Sequence, residues 1–192
     1  IEYIKTTYRN PLELITICGK FIMKNKKQKK KVLHSNKHII NPIFIAYYNN
    51  KKYIFKKLIQ KVYNENKKPI MVIGRNNIDI QSVIDKDFTI HNNKIIFLKN
   101  ELIEMEYFTA HRSKGLECDN VIIINNEDKV LGFPSKLEDD KVLKYIIKKK
   151  DYYLYEEERR LYYVALTRTK NRVYLLTPKR NPSVFVKELI KD

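Results

Sequence analysis

Residues 42–74, PIFIAYYNNKKYIFKKLIQKVYNENKKPIMVIG, decide the fold. Pro42–Tyr48 (PIFIAYY) and Pro69–Gly74 (PIMVIG) are short, nearly continuous apolar runs, the pattern of strands buried on both faces of a sheet. Between them Leu58, Ile59 and Val62 recur at helical spacing, which predicts a helix near Lys52–Tyr63 with those residues inward. Strand, helix and strand in this order form a crossover unit, and such units build a parallel sheet covered by helices.

The alternation continues on both sides. Upstream, Glu2–Thr6 reads as a short strand; Asn10 is the expected helix N-cap and Pro11 the first helical residue. Leu12, Ile15, Cys18, Gly19 and Ile22 then share one helix face, to about Lys24. Downstream, Phe88–His91 and Ile95–Leu98 read as short strands joined by a tight turn at Asn92-Asn93. Met105–Thr109 and Asn120–Ile124 follow as strands, then a turn at Gly132-Phe133-Pro134 and a helix near Asp140–Lys149. A long helix from Glu156 to about Lys170, a strand at Arg172–Leu176 and a last helix at Ser183–Ile190 complete the order. With no internal repeat and no long linker, residues 1–192 are expected to form one α/β domain with a mostly parallel sheet flanked by helices.

The chain has 192 residues with 43% hydrophobic content, enough for a core and too apolar for a disordered tail. No run approaches the roughly 18 apolar residues of a membrane helix, and the start lacks the pattern of a signal peptide, so the expected location is the cytoplasm, with no membrane partner. Cys18 and Cys118 are too few and too distant for a CxxC site, and the four histidines are scattered, so no metal is expected here. The formal charge is +17; residues 1–68 hold 17 Lys+Arg against 3 Asp+Glu, and residues 69–192 hold 22 against 19. The densest basic run, Lys20–Lys31, suits either contact with nucleic-acid phosphates or a solvated face.

Three polar clusters are expected to follow predicted strands, at the carboxyl ends where ligands of open parallel sheets gather. In Tyr8-Arg9-Asn10 a ring and a guanidinium suit a base and a phosphate, although a cap with a surface arginine gives the same sequence. In Thr109–Glu117 (TAHRSKGLE), Thr109, His111 and Ser113 can donate to phosphate oxygens, Gly115 permits close backbone approach and Glu117 can accept from a ribose hydroxyl; a solvated loop is the alternative. In Glu156–Lys170 (EEERRLYYVALTRTK), the dipole explains most of the charges, with glutamates in the first turn and Lys170 in the last. It does not require Arg168, placed to reach a phosphate from outside.

Taken together and in this order, the clusters resemble motifs IV, V and VI in the carboxyl-terminal motor domain of superfamily 1 helicases of the UvrD/Rep kind. Phe21–Ser35 (FIMKNKKQKKKVLHS) and Gly132–Asp140 (GFPSKLEDD) resemble the helicase IV branch in particular. The resemblance covers nearly the whole chain. It implies a RecA-like three-layer α/β fold of the phosphate-loop NTPase kind. It further implies that Tyr8 stacks on adenine, that Arg9 and Arg168 contact the γ-phosphate as arginine fingers, and that Glu117, with Gly115 beside it, binds the nucleotide ribose. Thr109 and His111, and Arg75 and Asn77 as an Arg-x-Asn after a core strand, would contact single-stranded DNA.

The chain contains no GxxxxGK[ST] phosphate loop and no Asp-Glu magnesium motif on a strand. The expectation is therefore one wall of an ATP–Mg2+ site completed by a preceding N-terminal RecA-like domain, in an enzyme that moves 3′ to 5′ along single-stranded or partly duplex DNA. The isolated fragment is expected to be inactive. The rival expectation is a non-catalytic module that binds nucleic acid or RNA polymerase.

Overall fold

The computed structural model describes residues 7–25, 28, 33–136 and 155–191. The strand expected at Glu2–Thr6, the helix expected at Asp140–Lys149 and five of the seven lysines of the Lys20–Lys31 run lie outside them. In chain order the described elements are α1 (Leu12–Met23), β1 (Ile43–Tyr48), α2 (Lys51–Asn66), β2 (Ile70–Gly74), a 3-10 turn (Asn77–Ser82), β3 (Phe88–His91), β4 (Lys94–Phe97) and β5 (Met105–Thr109). There follow β6 (Cys118–Ile123), α3 (Glu156–Leu166), β7 (Thr169–Pro178) and α4 (Val184–Lys191).

Seven strands form one sheet in the order β1-β7-β6-β2-β5-β4-β3. The pairings from β1 to β5 are parallel; β4 joins β5 antiparallel, and β3 and β4 form the expected hairpin. Asn92 turns that hairpin at φ 56°, a conformation that asparagine tolerates better than most residues.

The central strands are buried on both faces because they alternate between two cores. Ile70, Val72, Ile122, Tyr174 and Leu176 pack under α2 with Phe55, Leu58, Ile59 and Val62. Met71, Ile73, Val121, Ile123, Val173 and Leu175 pack on the other face with Leu14, Cys18 and Phe21 of α1, Leu161, Tyr162 and Ala165 of α3, and Phe185 and Leu189 of α4. The result is the expected three-layer fold. Cys18 is a core residue, fully buried on its helix, and Tyr162 packs its ring on Phe133, centroids 4.7 Å apart.

Local chemistry fixes the helix limits. The Asn50 side chain accepts from the Tyr53 amide at 3.1 Å to start α2, and Lys67, left-handed at φ 53°, closes it by donating to the Tyr63 carbonyl. Two expected boundaries move. Pro11, not Asn10, stands at the cap of α1, and no side chain caps it. The motif VI helix ends at Leu166, with Thr167 as its C-cap, so Arg168 lies in the connector to β7 rather than in a helical turn.

Candidate functional site

The expected site residues gather at two opposite edges of the parallel sheet. Glu117 immediately precedes β6 and Arg168 immediately precedes β7, so both stand at the amino edge. Arg75 and Asn77 follow β2, and Thr109 ends β5, so these stand at the carboxyl edge with His111. This corrects the expectation that all three polar clusters sit where strands end.

At the amino edge the three motifs converge. The Arg9 Nε donates to Glu117 Oε2 at 2.7 Å, and Lys170 Nζ lies 2.9 Å from Glu117 Oε1. These two cations, Lys170 foremost, hold the Glu117 carboxyl below its ordinary range despite its exposure. Arg168 is half-buried. Its Nε donates to the Val164 carbonyl at 2.9 Å, in the last turn of α3, and its Nη1 donates to the Leu116 carbonyl at 3.3 Å. Burial and then the neighbouring Arg9 charge lower the proton affinity of Arg168, so the two guanidiniums sense one another. Arg9, Arg168 and Lys170 thus surround one carboxylate, a surplus of positive charge suited to a polyphosphate.

Asn10, expected as a cap, does something else. Buried to 6% exposure, its Nδ2 donates to the Thr167 carbonyl at 3.1 Å and the Thr169 carbonyl at 2.6 Å. It pins the segment carrying Tyr8 and Arg9 to the connector carrying Arg168. Tyr8 itself is 88% exposed, open to a flat partner. Beside Glu117 and Lys170 the same edge opens into a cavity of about 570 Å3 whose lining includes Met71, Ile95, Met105 and Cys118.

The carboxyl edge is built differently. Gly74 ends β2 where a Cβ would stand 2.2 Å from the Tyr107 hydroxyl and 2.9 Å from the Asp79 Cβ, so only glycine lets the 3-10 turn close here. Asp79 Oδ2 then accepts from the Arg75 amide at 2.7 Å and the Asn76 amide at 2.9 Å, shaping the Arg75–Asn77 turn. Burial raises the Asp79 proton affinity against the pull of these bonds. Asn77 is exposed. Arg75 is gripped by Glu158 of α3: Nε lies 2.8 and 3.0 Å from the two carboxylate oxygens and Nη2 lies 2.7 Å from Oε1. His111 is exposed, and burial of its ring, then Arg75 and Lys114, lower its proton affinity.

Thr109 is buried at 8% exposure, its Oγ1 accepting from the Arg112 amide at 3.3 Å. Ser113, expected as a phosphate donor, is fully buried and donates to the Ala110 carbonyl instead. Gly115 takes φ +83° with open space around it, so glycine serves the turn there. Behind this edge lies a buried polar network. Lys51 lies 2.8 Å from both Glu127 Oε1 and Asn125 Oδ1, and Asn125 donates to Asp79 Oδ1 at 2.9 Å. Burial raises the Glu127 pKa, but bonds from Lys129, Lys51 and Tyr48 outweigh it and bring it to about 2.

Two segments join the edges. Residues 110–117 carry the chain from the end of β5 back to the start of β6, and α3 runs from Glu158, beside Arg75, to the connector of Arg168. Sequence reasoning assigned the first-turn glutamates to the helix dipole and so missed Glu158. Its signal, a carboxylate at the start of the helix that ends beside Arg168, is ambiguous without the fold.

Residues 86–180 match the family model of the UvrD-like helicase C-terminal domain. Over 98% of its length the chain is 29% identical to DNA helicase IV of Escherichia coli, of which it covers 26%. Over 49% of its length it is 31% identical to ATP-dependent DNA helicase Rep of Escherichia coli, of which it covers 14%. Its fold is similar to the crystal structure of the C-terminal domain of a possible DNA helicase from Lactobacillus plantarum, with a TM-score of 0.56 and 15% identity over 95% of this chain and 94% of that one. The chain therefore spans about a quarter or less of the length of these curated relatives.

Proposed function

We propose that this chain, whose residues 86–180 match the UvrD-like helicase C-terminal domain and which is similar to DNA helicase IV and Rep, is the C-terminal motor half of an ATP-dependent 3′ to 5′ DNA helicase or translocase. The observation that carries the reading is the meeting of Arg9, Glu117, Arg168 and Lys170 at the amino edge. Residues from three separate motifs supply there a surplus of positive charge beside one carboxylate, and Tyr8 stands exposed nearby in sequence.

In this reading the amino edge is one wall of a cleft whose other wall, holding the phosphate loop and Mg2+, is an N-terminal RecA-like domain. Bound ATP supplies the phosphoryl-transfer chemistry. Tyr8 packs against adenine and Glu117 accepts from the ribose. Glu117 has first to exchange its Arg9 partner for the sugar, and that exchange releases Arg9 to a phosphate. Arg168, held by two backbone carbonyls, is already set when the cleft closes and stabilises charge developing on the γ-phosphoryl oxygens. At the carboxyl edge Arg75, Asn77, His111 and the Thr109 hydroxyl track the phosphates of single-stranded or partly duplex DNA. Closing and reopening the cleft moves this wall along the strand in the cytoplasm.

The test is ATP hydrolysis by the intact protein carrying Arg168→Ala. Loss of DNA-stimulated turnover with DNA affinity kept supports the reading; unaltered turnover removes Arg168 from the chemistry. No hydrolysis by the wild-type intact protein would leave the rival, a non-catalytic nucleic-acid- or RNA-polymerase-binding module.

A further inference from the structure

We infer that Glu158 is the positioning residue for Arg75, setting the guanidinium in the orientation in which it meets a DNA phosphate. The inference rests on the reading of Arg75 as a DNA-backbone contact.

The geometry is side-on. Glu158 takes the Nε and Nη2 edge of Arg75 with contacts of 2.7 to 3.0 Å, which leaves the Nη1 edge for another acceptor. The grip is sheltered, with side-chain exposures of 21% for Arg75 and 12% for Glu158. Glu158 is itself held: its Oε2 accepts from the Ser135 amide at 2.9 Å, tying it to the loop that the buried Phe133 anchors on Tyr162. Its backbone belongs to the first turn of α3, whose inner face is core. A long, flexible arginine side chain loses much of its rotamer freedom in such a grip before any phosphate arrives, and pre-ordering of this kind strengthens a contact without adding one.

Dipole complementarity explains none of this. Glu156 and Glu157 in the same turn lie 3.0 and 3.2 Å from Arg160, as neighbours along one helix commonly do. Of these three glutamates, and among the described residues, Glu158 is the one that reaches across to another element at the sheet edge.

The bare-charge alternative makes the opposite prediction, because a carboxylate near DNA repels phosphate and its removal should tighten binding. The experiment measures affinity of the intact protein for a thymidine oligonucleotide across a salt series, together with ATP turnover against DNA concentration. It compares wild type, Glu158→Gln, Glu158→Asp, Arg75→Ala and the Glu158→Gln/Arg75→Ala double variant. Glu158→Gln is expected to weaken binding about tenfold and to flatten the slope of log affinity on log salt by about 0.7. Glu158→Asp, which keeps the charge on a shorter arm, should fall between Glu158→Gln and wild type. The double variant should match Arg75→Ala alone, and the DNA concentration that gives half-maximal turnover should rise in step with the loss of affinity.

Tighter binding in Glu158→Gln, or a wild-type Glu158→Asp, would overturn positioning in favour of bare charge. So would a Glu158→Gln effect that persists in full without Arg75. If Arg75→Ala leaves affinity and slope unchanged, it is the reading of Arg75 as a DNA contact that falls, whatever Glu158 does.

Discussion

The two edges of the sheet hold similar residue types in different ways. At the amino edge Arg9, Arg168 and Lys170 face one exposed carboxylate, and Arg168 is fixed by backbone carbonyls, which bring no opposing charge. At the carboxyl edge Arg75 is matched by Glu158, and the turn that carries it is shaped by the buried Asp79, with the Lys51–Glu127 network behind. One edge keeps positive charge in surplus; the other balances it and invests in geometry. A surplus suits a multiply charged ligand that arrives and leaves, whereas a balanced, pre-ordered arginine suits successive single phosphates of a strand.

The largest break in this comparison should come from Arg168→Ala in the intact protein. DNA-stimulated kcat is expected to fall by about 10³-fold or more, the scale of an arginine finger, with affinity for single-stranded DNA within a fewfold of wild type. Steady-state turnover and anisotropy on the same preparation check both halves. Arg75→Ala combined with His111→Ala should do the reverse: affinity for an oligonucleotide falls at least tenfold and its salt slope flattens, while kcat at saturating DNA is retained. If either pair of variants impairs both readouts equally, the two edges are not separate sites.

Asn10→Ala sharpens the comparison through stability. It leaves the Thr167 and Thr169 carbonyls without their buried donor, and urea unfolding should show a loss of about 1–3 kcal/mol. Because Asn10 joins the Arg9 segment to the Arg168 connector, turnover should fall well before DNA affinity does.

The smallest effect concerns acid. Glu127 has its folded pKa lowered from 4.5 to about 2, so its contribution to stability is present above about pH 4.5 and is lost as pH falls toward 2. Asp79, raised by burial, acts in the opposite sense, its contribution fading as pH rises through its folded pKa. Glu127→Gln should therefore flatten the fall in stability between pH 4.5 and 2, followed by thermal unfolding at stepped pH. Glu117→Gln, at the exposed amino edge, should leave the acid limb nearly as steep.

Much of the fold is legible in residues 42–74, because strands buried on both faces must be apolar throughout and the helix between them must repeat at helical spacing. The hairpin was legible too, since Asn92-Asn93 suits a left-handed turn residue. The site was legible as residue types in order, less so as places. Glu117 and Arg168 follow a strand and a helix in sequence, yet both stand at the amino edge, because residues 110–117 and α3 each traverse the sheet before the candidate residue appears. Asn10 read as a cap because capping depends on neighbours in sequence, whereas its partners are more than 150 residues away. Ser113 read as a donor to ligand for the opposite reason: its acceptor is local, the carbonyl of Ala110 in its own turn.

The 110–117 crossover also predicts where the gene can change length. Eight residues must span the strand and shift across two inter-strand spacings, a path of roughly 20 Å out of the roughly 28 Å that eight extended residues reach. Part of that length is already spent in turns, so a deletion here would pull the two edges out of register. The β3–β4 turn at Asn92-Asn93, at the far end of the sheet from both β6 and β7, carries no such constraint. Insertions among related sequences, and any reporter an engineer wishes to graft, belong there.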